Sequence, residues 1–298
     1  METGDWGKKD RLSHRTSIGV VGNGFVGGAV VNGFGDYCIV NVFDSDPDRC
    51  YNTYNETIFS DIVFVCLPTP MLDVEGGDCN LSILENFFDE LPTVCEGIFI
   101  IKSTVPVGTT ERLVNKYPHL KIIHNPEFLT AANANDDFIN ADRTVLGGKK
   151  EWVEVVQAVF EGYFSDIPVI TMTSNESECV KYFANCFLAT KVMVFNEMFK
   201  LTDHLNNDGF NVNYDKIMTG VISDRRIGES HYHVPGPDGD LGFGGTCFPK
   251  DINALIHTMN RAGVDPLILS AVWEQNKNYR TDWDWAESKS AVLSESES

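Results

Sequence analysis

No apolar stretch in this 298-residue chain approaches the roughly 20 residues that a membrane-crossing helix needs; runs such as Ile98-Phe99-Ile100-Ile101 fall far short. A helical membrane protein is therefore excluded, and no membrane partner is expected. Positive charge is also scarce. The 23 Lys+Arg against 43 Asp+Glu give a net charge of -20 and a pI near 4.6, which argues against broad binding to nucleic-acid phosphates or to an anionic lipid surface. Any anionic ligand has to be held locally. The start, Met1 to Arg15, has no apolar h-region, so no secretory signal is expected. The eight cysteines include no CxxC and no regular framework, the usage of reduced thiols in a cytoplasmic compartment. No internal repeat is present.

What is there is a globular composition: 43% hydrophobic, 11% aromatic, 25 Gly and 12 Pro, in a chain long enough for two domains. Ser17 to Val21, Ile39 to Phe43, Ile62 to Leu67, Ile98 to Ile101, Lys121 to Ile123 and Thr144 to Leu146 read as short strands, with helices at Leu81 to Leu91 and Thr110 to Lys116. Strand and helix in alternation predict an α/β fold, a doubly wound parallel sheet covered on both faces. From about Asn175 the period becomes helical: Asn175 with Glu178 reads as a capping-box variant, and Val180, Phe183, Phe187, Leu188, Phe195, Met198 and Leu205 follow mostly at three- and four-residue steps. Asn207-Asp208-Gly209 stops that helix, and Asp265-Pro266 opens another, Leu267 to about Tyr279. The expected organisation is a polar tail over residues 1–16, a dinucleotide-binding domain over 17–172, a helical domain over 173–281 and an acidic tail over 282–298.

Gly22-Asn23-Gly24-Phe25-Val26-Gly27 follows the first strand and opens a helix. Gly22 permits the tight turn, Gly24 lets backbone approach a pyrophosphate, Gly27 allows close helix packing, and the helix N-terminus supplies N–H donors. Asp44, about 20 residues on at the end of the next strand, is placed to accept hydrogen bonds from an adenosine ribose and would repel a 2′-phosphate, so NAD is preferred to NADP.

A second segment, Gly242-Phe243-Gly244-Gly245-Thr246-Cys247-Phe248-Pro249-Lys250-Asp251, sets a cysteine in a glycine-rich bend with a carboxylate four residues on. That is what a covalent nucleophile needs, although for an isolated cysteine a buried structural thiol is the simpler reading. Lys181 and Asn185 stand at i, i+4 on the long helix, where an ammonium and an amide could stabilise an oxyanion; on spacing alone a solvated helix face explains them as well. His231 and His233 have the spacing of a metal pair, but no carboxylate or cysteine cluster joins them, and no metal is expected.

Taken with Cys66-Leu67-Pro68-Thr69-Pro70, Lys102-Ser103-Thr104-Val105-Pro106, Asn125-Pro126-Glu127-Phe128-Leu129, Glu178 to Asn185 and Asp224-Arg225-Arg226-Ile227-Gly228, these motifs follow in one order over about residues 17 to 280. In that order the sequence resembles the UDP-glucose/GDP-mannose dehydrogenase family. The resemblance implies a Rossmann-like NAD domain followed by a helical dimerisation domain, and an NAD-dependent, four-electron oxidation of a sugar C6 alcohol to a carboxylate. Most similar are the members that turn UDP-glucose into UDP-glucuronate. It implies that Cys247 is the nucleophile that carries a thiohemiacetal and then a thioester, and that Lys181 and Asn185 hold the substrate oxygen. Asp251 would work with the lysine and a water in proton transfer, while Glu127 and Thr104 position water and substrate. Phe25, Val26, Thr69 and Thr104 would line NAD beside the glycines and Asp44. Phe243 and Gly244 would touch the substrate, and Arg226 would reach it across a homodimer interface.

The sequence departs from that family in four places. The helical segment ends near the end of the chain, with no third, nucleotide-binding domain after it; the segment from Asp44 to Asp61 is short; Thr130-Ala131-Ala132 stands where a second glutamate is usual; and Asp238-Gly239-Asp240-Leu241 lengthens the substrate loop. GDP-mannose or a UDP-N-acetyl-hexosamine is an alternative substrate. A two-electron hydroxyacid dehydrogenase and a non-catalytic NAD-binding module are the competing functions; the first needs no thiol, which sets Cys247 against it.

Overall fold

The computed structural model describes residues 16–288 and 290–293, so the polar start and the closing Ser-Glu-Ser-Glu-Ser lie outside the described residues. By internal packing the chain divides into two units, one running to Pro68 and again over Ser82–Lys181, the other made of Thr69–Leu81 and the chain from Tyr182 onward.

The first unit is built on short apolar runs. Strands β1 (Ser17–Val21), β2 (Ile39–Phe43), β3 (Ile62–Val65), β4 (Ile98–Ile101), β5 (Lys121–His124), β6 (Thr144–Gly147) and β7 (Val169–Met172) form one sheet in the order β2-β1-β3-β4-β5-β6-β7. Every neighbouring pair is parallel except β5 with β6, which meet at His124 and Gly147. β3 and β4 are buried at every residue, as expected of strands covered on both faces. Helix α1 (Phe25–Gly35) crosses from β1 to β2; α2 (Tyr54–Ile58) and α3 (Ser82–Asp89) flank β3; α4 (Thr109–Lys116), α5 (Ala134–Ile139) and α6 (Lys150–Tyr163) complete the layers. On one face Phe34 packs against Phe64, Phe138, Phe160 and Phe164, its ring centroid 5.2–6.0 Å from theirs. On the other, Phe88 meets Phe87, Phe99 and Tyr117. The sheet order reverses at β1, whose neighbours are β2 and β3, and the carboxyl ends there form the crevice at which doubly wound sheets bind ligands.

Helix α7 (Ser174–Asn207) begins two residues earlier than its sequence signal suggests. The capping box is Thr173 with Glu176: the Thr173 N–H and hydroxyl both donate to Glu176 Oε2 at 2.8 Å, and the Glu176 N–H donates to Thr173 Oγ1 at 3.3 Å. Glu178, expected to serve Asn175, instead takes the Gly108 and Thr110 N–H groups and the Thr110 hydroxyl at the start of α4, where a carboxylate also meets the positive end of that helix. Ser177 reaches His124 Nδ1 at 2.8 Å. These bonds tie the first two turns of α7 to the sheet, and the first unit by internal packing runs to Lys181.

The second unit contains the rest of α7, α8 (Tyr214–Ile222), α9 (Cys247–Arg261) and α10 (Leu267–Tyr279). α10 spans the expected residues, with Pro266 rather than Asp265 at its cap. The core joins Tyr182, Cys186, Ala189, Met193, Phe243, Trp273 and Trp285. Thr69–Leu81 belongs to this unit. Met71 bridges Val292, its N–H donating to Ala291 O at 2.6 Å, while the indole N–H groups of Trp273 and Trp285 donate to Glu75 O and Val74 O. The stretch expected to be an acidic tail from 282 is thus packed over its first part: Trp285 and Ala291 are fully buried, because two Trp rings, Trp273 and Trp283, lie 5.3 and 5.5 Å from that of Trp285.

Replacing Trp285 with Ala empties the largest fully buried side chain and is expected to cost about 3–5 kcal/mol. Urea unfolding followed by far-UV circular dichroism should show it; a variant as stable as the parent would mean that the 284–287 turn does not contribute to the core.

Candidate active site

At the end of β1 the chain turns at Gly22, whose φ of +88° suits glycine; a Cβ there would lie 2.6 Å from Cys66 O. Gly27 packs so closely that an added Cβ would sit 1.9 Å from Gly22 O. Gly24 is the opposite case: it caps α1 with no side-chain bond, and a Cβ on it would meet nothing within 4 Å. Open backbone before an uncapped helix N-terminus fits a pyrophosphate. Asp44 closes the far side, its Oδ2 accepting the Asn23 N–H at 2.5 Å and its Oδ1 the Asp46 N–H at 2.8 Å. Phe25 is exposed and Val26 half-buried. A cavity of about 480 Å³ opens beside Phe25 and Gly28, lined also by residues 131–136; the sequence reading took no account of that lining, which includes two of the small residues in the place of a second glutamate. The dinucleotide cradle is thus present in the first unit.

The same unit gathers polar groups just beyond β4 and β5. Lys181 Nζ donates to Glu127 O at 2.6 Å and to Glu127 Oε1 at 2.7 Å, and Glu127 Oε2 accepts the Leu129 N–H at 2.8 Å. Both side chains are buried, Lys181 being 2% exposed, so the solvated-face reading of Lys181 is overturned. Burial would raise the Glu127 carboxyl, but Lys181, the Leu129 N–H and Lys102 together outweigh it and the net shift is downward. Thr104 is buried after β4. Lys102, quoted in the sequence only as part of a motif, is 4% exposed and donates to Asn125 Oδ1 at 3.0 Å. Asn125 in turn holds Thr144 Oγ1 and Val145 O. Burial pulls the Lys102 ammonium down to about 8, against the opposing pull of Cys66 and Glu127. The buried His124 beside it is pushed down to about 3 and stays neutral.

In the second unit, Gly242 and Gly245 take φ of +71° and +72°, and the bend delivers Cys247 as the first residue of α9. Pro249 falls in the first turn, where a missing N–H costs nothing. Cys247 is half-buried, with Thr246 Oγ1 3.7 Å from its Sγ. Asp251, fully buried, accepts from Asn185 Nδ2 and from Lys250 Nζ, each at 2.6 Å. Asn185 is 7% exposed, so its side too is no solvated face. Lys250 was not singled out from the sequence. Burial works against its ammonium, but Asp251, Cys79 and Cys247 surround it with acidic groups and hold it above the ordinary lysine value. Cys79 is a half-buried thiol that desolvation raises to about 11 and that donates to Thr69 O at 3.6 Å. Thr69 is buried, Phe243 packs on Phe248 and Trp273, and a Cβ on Gly244 would strike Asp284. Arg226 is exposed and forked onto Asp224, Nη2 to Oδ2 at 2.5 Å. His231 stands over Phe248 at 5.7 Å; among the described residues no group of three or more His, Cys, Asp or Glu could hold a metal.

Residues 49–163 match the NAD binding domain, and residues 175–278 the central domain, of the UDP-glucose/GDP-mannose dehydrogenase family. The UDP-glucose 6-dehydrogenase of Pseudomonas aeruginosa is 34% identical over 231 residues, which are 73% of this chain and 48% of that protein. For TuaD of Bacillus subtilis, a UDP-glucose 6-dehydrogenase, the figures are 31% over 231 residues, 74% and 47%. The chain spans about half the length of the curated relatives it matches. The UDP-glucose dehydrogenase structure from Pyrobaculum islandicum superposes with a TM-score of 0.78 at 28% identity, over 90% of this chain and 69% of that one.

The buried Lys102 gives a pH signature. Its folded value of about 8 lies below the ordinary 10.5, so between those values the unfolded chain binds more protons and stability rises with pH; below about 8 the folded state carries the whole cost of burying the ammonium. Lys102→Met removes that cost. Its stability relative to the parent should therefore be most favourable at pH 7 and fall by on the order of 3 kcal/mol by pH 10.5, read from urea unfolding across that range. A difference independent of pH would refute the depressed value.

Proposed function

Since the chain belongs to the UDP-glucose/GDP-mannose dehydrogenase family, we propose that it catalyses the NAD-dependent, four-electron oxidation of a nucleotide sugar at C6, with UDP-glucose going to UDP-glucuronate. The observation that carries this reading is Cys247 opening α9, with the buried Lys250–Asp251 pair in the turn that follows: a two-electron dehydrogenase has no use for a thiol so placed. GDP-mannose and the UDP-N-acetyl-hexosamines remain the alternative substrates.

NAD, when bound, accepts one hydride in each of the two oxidations. The residues proposed to hold it are Gly22, Gly24, Phe25, Val26, Gly27 and Asp44, with Thr69 and Thr104. Lys181, fixed by the ionised Glu127, holds the C6 oxygen and stabilises its charge as the hydroxyl proton leaves. Cys247 Sγ then bonds to the aldehyde carbon while the carbonyl oxygen gains a proton, giving a thiohemiacetal. Loss of hydride from that carbon and of the proton from its hydroxyl leaves a thioester. A water adds, the C–S bond breaks, and the thiol returns with the carboxylate product. Asn185 steadies the oxyanion of each tetrahedral stage, and Asp251 takes the proton of the attacking water; Glu127 and Thr104 position water and substrate. Phe243, Gly244 and Arg226 contact the substrate.

A homodimer belongs to the same proposal. Phe183, Phe187, Val194, Met198 and Leu201 are 42–68% exposed and fall within one narrow stripe of α7 at 100° per residue. A second copy of that stripe would cover it, bringing the partner's Arg226 to the substrate. The free cysteines suit a cytoplasmic location.

The direct test is NADH formed per sugar nucleotide consumed: two per UDP-glucose from the parent protein, and at most one from Cys247→Ser, a loss of product carboxylate of at least 100-fold. No NADH from UDP-glucose, GDP-mannose or UDP-N-acetylglucosamine in protein that binds NAD would favour a non-catalytic module. Light scattering should give twice the chain mass for the parent and the single-chain mass for Phe187→Glu; a monomeric parent would dispose of the dimer.

A further inference from the structure

The residues just before Cys247 are held by an apparatus that no motif announces. Of the four backbone N–H groups from Gly242 to Gly245, three are taken by side chains: Gly242 by Asn196 Oδ1 at 2.9 Å, Phe243 by Asn276 Oδ1 at 2.7 Å, and Gly245 by both carboxylate oxygens of Asp284 at 3.1 and 2.9 Å. Only the last, nearest the cysteine, is charged. Asp284 is itself held by Arg280, Nη2 to Oδ1 at 3.4 Å. The Arg280 side chain is 2% exposed, and the same guanidinium takes Asp238 at 2.5 Å and Asp240 at 3.7 Å. Asp240 Oδ2 further accepts the Thr281 and Asp282 N–H groups. One buried cation thus binds the two aspartates that lengthen the glycine loop and the aspartate that grips its end. Thr246 supplies no side-chain cap to α9, so nothing else of this kind intervenes between Gly245 and Cys247. Gly244 admits no substituent against the clamp: a Cβ would lie 2.4 Å from Asp284 Oδ1 and 2.8 Å from Arg280 Cζ.

We propose that Asp284, oriented by Arg280, is a positioning residue for the Cys247 thiol: by fixing the Gly245 N–H it sets the left-handed turn that places Sγ at the N-terminus of α9, beside Lys250. The helix N-terminus and the ammonium favour a negative sulfur only while the turn holds. The aspartates of the inserted Asp238-Gly239-Asp240-Leu241 loop act as stays on Arg280, which gives that insertion a use. The thiol's role in turnover rests on the proposed function; its placement does not.

The test is made on the full chain, with two readouts. The first is the rate at which iodoacetamide alkylates Cys247 at pH 7.5, followed by peptide mass spectrometry, with the half-buried Cys50 of the sheet unit as reference thiol. Asp284→Ala should slow Cys247 at least fivefold and leave Cys50 unchanged, while Asp284→Asn, whose amide oxygen still accepts one N–H, should fall between. The second is NADH formation from UDP-glucose: kcat drops tenfold or more in Asp284→Ala, with the KM for NAD within twofold of the parent. Equal alkylation of Cys247 in the parent and in both variants would overturn the proposal, as would equal slowing of Cys50 and Cys247. If Asp284→Ala does not fold, the Asp284→Asn comparison decides alone. Inactivity of the parent toward every sugar nucleotide would count against the proposed function, and the alkylation rates would still decide the clamp.

Discussion

Breaking a buried ion pair leaves an uncompensated charge that costs about 3–5 kcal/mol, a large share of the stability of a folded domain, and that constraint shapes both units. Lys181 and Lys250 are each removed from water, and each has a carboxylate within 2.7 Å, Glu127 and Asp251. The pairing fixes geometry as well as charge. Glu127 is held at both oxygens, by Lys181 and by the Leu129 N–H; Asp251 is held at both, by Lys250 and by Asn185. Side chains so constrained cannot swing to suit a ligand, and a ligand must come to them, which is the condition for electrostatic preorganisation.

The architecture was legible because the strands carry it in their own composition. Ile62–Val65 and Ile98–Ile101 are unbroken apolar runs, and they became the fully buried strands of the sheet. β7 was not read, being an edge strand with Ile170 and Thr171 exposed. The start of α9 was hidden by the glycines before it and by Pro249 within it, residues that argue against a helix unless they fall in its first turn. The start of α7 was misplaced for a related reason: Asn175-x-x-Glu178 and Thr173-x-x-Glu176 satisfy the same rule, and only the buried pull of Gly108 and Thr110 on Glu178 decides between them.

Within the candidate site the residue types were legible and the pairings were not. Lys181 and Asn185 stand one turn apart in sequence, yet their partners lie 54 and 66 residues away, and no local pattern could name them. Lys102 and Lys250 read as ordinary motif lysines because burial leaves no trace in spacing. Arg280 and its three aspartates gave no signal either: a clamp assembled from segments some 40 residues apart is invisible to periodicity.

Thr69–Leu81 leaves the sheet unit, serves the helical one and returns, so the helical unit is discontinuous along the chain. Met71 bridges Cys79 within the excursion itself, but its second bridge partner, Val292, comes more than two hundred positions later. On the ribosome the sheet unit can be complete once Lys181 has emerged, while the excursion between β3 and α3 must wait, its apolar residues uncovered, for nearly the last residues to be made. A fragment cut at the apparent end of the dinucleotide domain would carry that waiting loop permanently. The natural place to divide this protein is therefore not a point in the sequence at all.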